Sequence, residues 1–235
     1  PAQGIDEAYD AYYKAIWSYA WQAASYYALA QIDALRGDLV SALGHLDRSL
    51  LTNGANLQAR DLKAAVLRRL GRLDEAAALV DETIEMDKLD YWARHEQALI
   101  YHAQGDAEAE EQAGQALAAM MRGDEGILQA QRYLDLAFDY AGAGLWDEAS
   151  EVLHRLVDSK GHGHDIYPMI LYTLAYLAQQ RGRPEEAQAY ARRAASMPPD
   201  YCFPFRLEEM SILQQALVDN PEDSRAHCYL GHLLY

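Results

Sequence analysis

The sequence predicts an all-α fold, a right-handed α-solenoid (superhelix) of stacked helical hairpins. Three observations predict it. A glycine marker recurs five times at nearly constant spacing. A small residue follows four of the five markers at a fixed distance. Apolar residues on either side repeat with the 3.6-residue period of a helix, not the 2-residue period of a strand.

The markers are Arg36-Gly37-Asp38, Leu70-Gly71-Arg72, Gln104-Gly105-Asp106, Ala143-Gly144-Leu145 and Arg181-Gly182-Arg183. Their glycines lie 34, 34, 39 and 38 residues apart. A glycine ends a helix cheaply because it enters the left-handed region without a Cβ clash. Five residues beyond four of the glycines stand Ala42, Ala76, Ala149 and Ala187, where two helices must approach closely. The third marker departs from the pattern, with Glu110 in that slot. Larger apolar residues continue the second helix: Leu46 and Leu50, Val80 and Ile84, Leu153 and Val157. Ahead of the glycines, Tyr26, Leu29 and Ala30 form an apolar stripe, as do Tyr133, Leu136, Ala137 and Tyr140, and Leu171, Leu174 and Ala175. Pro184 fits the first turn of a second helix, where its missing N–H does no harm. One hairpin cannot bury its own face, so neighbours must stack.

These residues resemble the tetratricopeptide repeat family, whose period is about 34 residues. The best match runs over residues 133–156, with Tyr140, Gly144, Trp146 and Ala149 in the family's slots. Asn220-Pro221 and Tyr229-Leu230-Gly231 match its Pro turn and Leu-Gly pair. The resemblance covers nearly the whole chain; it implies the fold and is almost silent on function. It predicts a single solenoid over residues 1–235, with repeats at 23–56, 57–90, 91–129, 130–167 and 168–201 and half-repeats at 5–22 and 205–235. The third repeat is degenerate, and Met120 to Gln129 carries its insertion. The phase expects an array that continues past both ends, with self-association through uncapped ends as one outcome.

A second resemblance rests on Tyr12-Tyr13-Lys14-Ala15-Ile16-Trp17, Leu89-Asp90-Tyr91-Trp92-Ala93-Arg94 and Pro199-Asp200-Tyr201-Cys202-Phe203-Pro204. These stretches are similar to the helical part of large bacterial proteins that carry a β-sandwich domain of the DUF5107 type ahead of such repeats. That sandwich resembles sugar-mutarotase folds, which implies a loose connection to carbohydrate.

Twenty basic against 36 acidic residues give a formal charge of −16. Such a charge repels phosphate backbones and anionic lipid, so neither nucleic acid nor membrane is an expected partner. Basic or aromatic-rich peptides fit better, although net negative charge also serves solubility alone. No apolar run reaches the roughly 18–20 residues of a membrane helix. No signal peptide is visible at Pro1-Ala2-Gln3-Gly4, and a cytoplasmic location is expected. Cys202 and Cys228 are too few for a disulfide framework and read as small packing residues of a reduced protein.

The phase assigns a groove to the first helices, lined by Tyr27, Asp61, Arg68, Trp92, His95, Glu96, His102, Asp135, Phe138, Tyr172 and Tyr176. Rigid rings mixed with single charges suit recognition, because a ring gives large contact area at small entropic cost. The competing reading packs several of these rings between adjacent first helices. Chaperone-binding members of the family use a basic clamp; here the equivalent slots hold Tyr27, Asp61, His95, Leu134 and Tyr172, and the clamp is absent.

Gly161-His162-Gly163-His164-Asp165 offers two imidazoles and a carboxylate, but a glycine-rich linker lacks the rigidity of a metal site. Asp61, Glu96 and Asp135 invite comparison with sugar-cleaving carboxylates, yet scattered groove charges are the commoner case. No phosphate loop, nucleophile elbow or dinucleotide fingerprint is present. The reading is a non-catalytic protein- or peptide-binding scaffold without metal or cofactor, a module of a larger protein. The alternative is an accessory helical domain of a carbohydrate-active or sugar-binding bacterial protein, its groove contacting glycan or the sandwich domain.

Overall fold

The computed structural model describes residues 2–122, 127–160 and 166–235. Among the described residues there are thirteen helices and no strand, so the all-α expectation holds. In order they are α1 (Ala2–Ala15), α2 (Tyr19–Leu35), α3 (Leu39–Thr52), α4 (Leu57–Arg69), α5 (Leu73–Met86), α6 (Tyr91–Gln104) and α7 (Ala107–Met121). They continue with α8 (Ile127–Gly142), α9 (Trp146–Lys160), α10 (Pro168–Gln180), α11 (Pro184–Ala195), α12 (Leu207–Asp219) and α13 (Ser224–Leu234).

The marker glycines make the turns. Gly37, Gly71, Gly105, Gly144 and Gly182 all have φ between 70° and 80°. At four of them the same two bonds close the helix end: Asp38 N–H to the Asp33 carbonyl with Gly37 N–H to Ala34, and the equivalents at Arg72, Asp106 and Arg183. These are Schellman motifs, which satisfy carbonyls that the helix end would otherwise strand. The other ends are capped by side chains. Asp38, Asn56, Asp90, Asp106 and Asp223 each accept a backbone N–H of the first turn they precede.

The chain divides into two compact units, Pro1–Arg122 with Gly142–Leu145, and Gly123–Ala141 with Trp146–Tyr235. In the first, α2 and α3, α4 and α5, and α6 and α7 form hairpins, and α1 packs on α2. Successive hairpins join through α3 on α4, α5 on α6 and α4 on α6, the stacking of an α-solenoid. The small slots close as the sequence requires: Ala42 and Ala76 have no exposed surface, and Leu46 and Val80 lie buried one turn on. Polar pins fix the register. Ser49 Oγ donates to the Ala23 carbonyl at 2.8 Å, and Arg60 reaches from α4 to Thr83 and Glu82 of α5. The degenerate slot behaves as its residue type demands. Glu110 stays at the surface against His102 Nδ1 at 3.1 Å, and α7 buries Ala113, Leu117 and Met121 instead.

In the second unit α10 and α11 form a hairpin, as do α12 and α13. α9 and α12 pack on α10, and α11 meets α13. Ala149 and Ala187 are buried in their slots. α10 is buried along almost its whole length, from Pro168 to Ala178, because it is covered on several sides. Cys202 is buried between the two hairpins' residues Tyr167 and Tyr229, and burial pushes its thiol up from 9.0 to about 11. Cys228 corrects the expectation from sequence: it is exposed on α13, since it follows the buried Ala226 by two positions and falls on the outer face.

Candidate functional site

The eleven groove candidates divide by burial. In the first unit Asp61, Trp92, His95 and Glu96 are buried, the last two with no exposed surface. Their first helices pack on one another, α4 on α6, and the Arg68–Glu96 pair lies in that contact. The clearest case is the pair that the structure brings together. Arg68 of α4 grips Glu96 of α6 with Nε–Oε2 at 2.7 Å and Nη2–Oε1 at 3.1 Å. A bidentate guanidinium–carboxylate pair is strong and directional. With Glu96 fully covered and Arg68 nearly so, it joins two hairpins and presents no free charge to a ligand.

Two candidates of the first unit keep surface. Tyr27 is half-buried, and its hydroxyl accepts from Gln31 Nε2 at 3.2 Å, one turn along α2. His102 is exposed near the end of α6, held against Glu110.

In the second unit Tyr172 is buried on α10 and its hydroxyl donates to Asp223 Oδ2 at 2.9 Å. Burial first, and the Asp223 carboxylate second, push its pKa far above the ordinary phenol range. Tyr172 therefore ties α10 to the cap of α13. Tyr176, one turn on, is half-buried, with the Trp146 ring meeting it edge-on at a centroid distance of 6.4 Å. Asp135 is exposed on α8 and Phe138 half-buried beside it.

Both of these face a residue that sequence reasoning missed. Arg206, at the cap of α12, donates to Asp135 Oδ1 from Nε at 2.9 Å and from Nη2 at 2.6 Å. It also bonds Gln131 and Glu209, and its guanidinium lies 5.8 Å from the Phe138 ring centroid and 4.2 Å from that of Phe205. Glu209 in turn accepts the backbone N–H groups of Phe205 and Arg206, closing the start of α12. The signal available in the sequence was the isolated base in 198–210, a stretch otherwise of prolines, rings, acids and a few apolar residues.

A cleft of about 630 Å³ opens between α11 and the α12–α13 turn. Ala187, Ala191 and Ala216 line it, with Glu185, Asp219 and Arg192 among the polar residues around them. The Gly161–Asp165 stretch, read above as a linker, lies outside the described residues. Among the described residues no helix is long and apolar enough to cross a membrane.

No protein-family model matches the chain, and no curated protein matches it. Among solved structures it is similar to a tetratricopeptide repeat protein from Parabacteroides merdae, at 14% identity and TM-score 0.48, covering 98% of this chain and 86% of that one. It is similar to YrrB, described as a tetratricopeptide protein with an unusual peptide-binding site, at 16% identity and TM-score 0.44, over 81% of this chain and 94% of that one. A kinesin light chain protein of Podosopora anserina with tetratricopeptide-like repeats aligns at 18% identity and TM-score 0.43, over 75% of this chain and 94% of that one.

Proposed function

We propose that the chain is a non-catalytic module that binds a protein or peptide partner, with each unit offering first-helix side chains to it. One observation carries the reading: the rings that keep surface on first helices are held by neighbours. Tyr27 is fixed by Gln31, Tyr176 by Trp146 and Phe138 by Arg206. A ring already locked in place loses little entropy on binding, so its contact area converts to affinity with small loss. In this reading Tyr27 and His102 serve the first unit, and Asp135, Phe138 and Tyr176 the second. Asp61, Arg68, Trp92, His95, Glu96 and Tyr172 act behind them by packing. The partner is basic or aromatic-rich, against a chain of charge −16. The proposal extends to a cytoplasmic setting and to a larger protein with a sugar-mutarotase-like sandwich, on the strength of the 12–17, 89–94 and 199–204 stretches.

Selection of displayed peptides against the protein, followed by fluorescence polarisation, tests it. The expected result is a peptide with micromolar affinity that Tyr27→Ala or Tyr176→Ala weakens about tenfold. Selections that yield nothing above scrambled controls would overturn the peptide-binding reading.

A further inference from the structure

The segment joining α11 to α12 has a distinctive pattern of exposure. Its burial alternates. Tyr201, Phe203, Phe205 and Leu207 are each between 62 and 79% exposed, while Cys202 has no exposed surface and Pro204 is buried. Exposed single hydrophobics are ordinary; four of them in one register are not.

The display is also fixed. The Phe205 ring rests 4.2 Å from the Arg206 guanidinium, which Asp135, Gln131 and Glu209 hold in turn. Phe203 packs on the His232 ring of α13, with centroids 5.4 Å apart. Glu209 pins the backbone at Phe205 and Arg206, and Cys202 anchors it between. Tyr201 has φ 58°, the one non-glycine at positive φ among the described residues. Such a conformation costs energy in an L residue and persists only when its surroundings impose it. The whole arrangement keeps rings in water that a looser loop would fold inward.

The surrounding charge points to the occupant. In 198–210 the exposed ionic groups are Asp200 and Glu208, and the titratable ring against these side chains is His232, beside Phe203. The sole base there, Arg206, has a side chain only 10% exposed and is neutralised by Asp135 and Glu209. Ring faces and carboxylates both attract cations. A second copy of this chain, itself at −16, would bring the wrong sign.

We propose that Tyr201, Phe203, Phe205 and Leu207 form a docking strip for an extended peptide segment in which Lys or Arg alternates with aliphatic side chains. An extended chain sends alternate side chains to one face, and Phe203 and Phe205, two residues apart and both exposed, offer that spacing at the centre of the strip. Aliphatic groups fill the spaces between rings, and ammonium or guanidinium groups lie over ring faces and beside Asp200 and Glu208. The inference deepens the peptide-binding reading and rests on it, but places the contact on an inter-hairpin segment and not on first-helix faces.

The probe is a fluorescein-labelled nonapeptide of alternating Lys and Leu, with an alternating Glu–Leu peptide and an alternating Lys–Ser peptide as comparators, all at physiological salt. The Lys–Leu peptide is expected to bind, and both comparators to bind at least about tenfold more weakly. A Tyr201→Ser, Phe203→Ser, Phe205→Ser variant keeps the net charge and should weaken binding about tenfold or more. Asp200→Lys with Glu208→Lys should weaken it and flatten its salt dependence. The triple variant removes exposed side chains, and unchanged circular dichroism checks that it folds; Phe203→Ser alone gives the same direction with less disturbance. Binding that survives the triple variant overturns the strip, and so does equal affinity for the Glu–Leu peptide. If Tyr27→Ala or Tyr176→Ala abolishes binding and the triple variant does not, the strip fails while the peptide-binding reading stands. If no peptide binds and the protein is a dimer that the triple variant dissociates, the strip belongs to a second copy and the proposal is wrong.

Discussion

Replacing Arg68 with Ala tests the claim that the first-helix face of the first unit is structural. The guanidinium makes two bonds to Glu96, at 2.7 and 3.1 Å, and the Glu96 side chain has no exposed surface. Removing one partner of a buried pair costs about 3–5 kcal/mol, chiefly because the remaining charge keeps its desolvation penalty and loses its counter-ion. Each kcal/mol lowers the melting temperature of a chain this size by about 2–4 °C, so Arg68→Ala should melt roughly 10 °C below the parent. The double variant Arg68→Met, Glu96→Leu keeps volume and removes both charges; it should lie within about 1–2 kcal/mol of the parent. Urea titrations of the parent, Arg68→Met, Glu96→Leu and the double close a cycle that isolates the coupling. Because the pair is out of water, the Arg68→Ala penalty should barely change between low and high salt. A penalty under about 1 kcal/mol, or a double variant as unstable as Arg68→Ala, would show that the pair is not what joins α4 to α6.

Glycines at marker and non-marker positions should respond oppositely. Gly71→Ala, at φ 75°, should destabilise by about 1–2 kcal/mol, whereas Gly44→Ala, exposed inside α3, should stabilise by about 0.5–1 kcal/mol; equal signs in a denaturant titration would refute the turn assignment. Cys228 should react with a thiol reagent in the native protein and Cys202 only on unfolding, so two fast equivalents would contradict the burial of Cys202. The second unit should weaken in alkali. Cys202 is raised from 9.0 to about 11, and burial also raises Tyr167, Tyr172 and Tyr229 above the usual phenol value. Each group holds its proton more tightly when folded, so its contribution is full below the unfolded pKa and is lost as pH rises through the folded one. For Cys202 that is on the order of 3 kcal/mol between about pH 9 and 11, and a Cys202→Ala variant should show a shallower alkaline decline. Parallel declines in parent and variant would exclude it.

The glycines and alanines were legible because their reasons are local. A positive φ needs glycine wherever the chain goes next, and a close helix crossing needs a small residue whatever packs there. Hence Gly37, Gly71, Gly105 and Gly182 close the same turn, and Ala42, Ala76, Ala149 and Ala187 are buried. The face of a first helix was less legible because its fate depends on a neighbour distant in sequence. Trp92 and His95 carry the composition of a recognition surface, and only tertiary packing decides that they lie inside. Arg206 was missed for the same reason: its partners Gln131 and Asp135 lie 75 and 71 residues away. Cys228 was misplaced by residue type alone, which favours burial on average but does not outrank helix phase.

Where exposed rings fall follows from the same packing. In the first unit Tyr12, Tyr13, Trp17, Tyr19, Trp21, Leu51, Met86 and Leu89 are exposed. All lie in the last turn of a second helix, in the turn that follows, or in the opening turn of the next first helix. Val40, beside the Gly37 turn, is the exception there. The glycine turns hold few such side chains, because the left-handed position itself takes a glycine. The helix faces are largely covered by neighbouring hairpins, and the first-helix rings that keep surface, Tyr27, Phe138 and Tyr176, are only half-exposed. Only the inter-hairpin turns combine a rigid anchor with room for a side chain to stand clear. In the second unit the α11–α12 segment is the longest of them and carries Tyr201, Phe203, Phe205 and Leu207. The most exposed rings therefore stand at the turns and the half-exposed ones on first-helix faces, and variants that separate the two, Tyr176→Ala against Phe203→Ser, ask directly which set a partner uses.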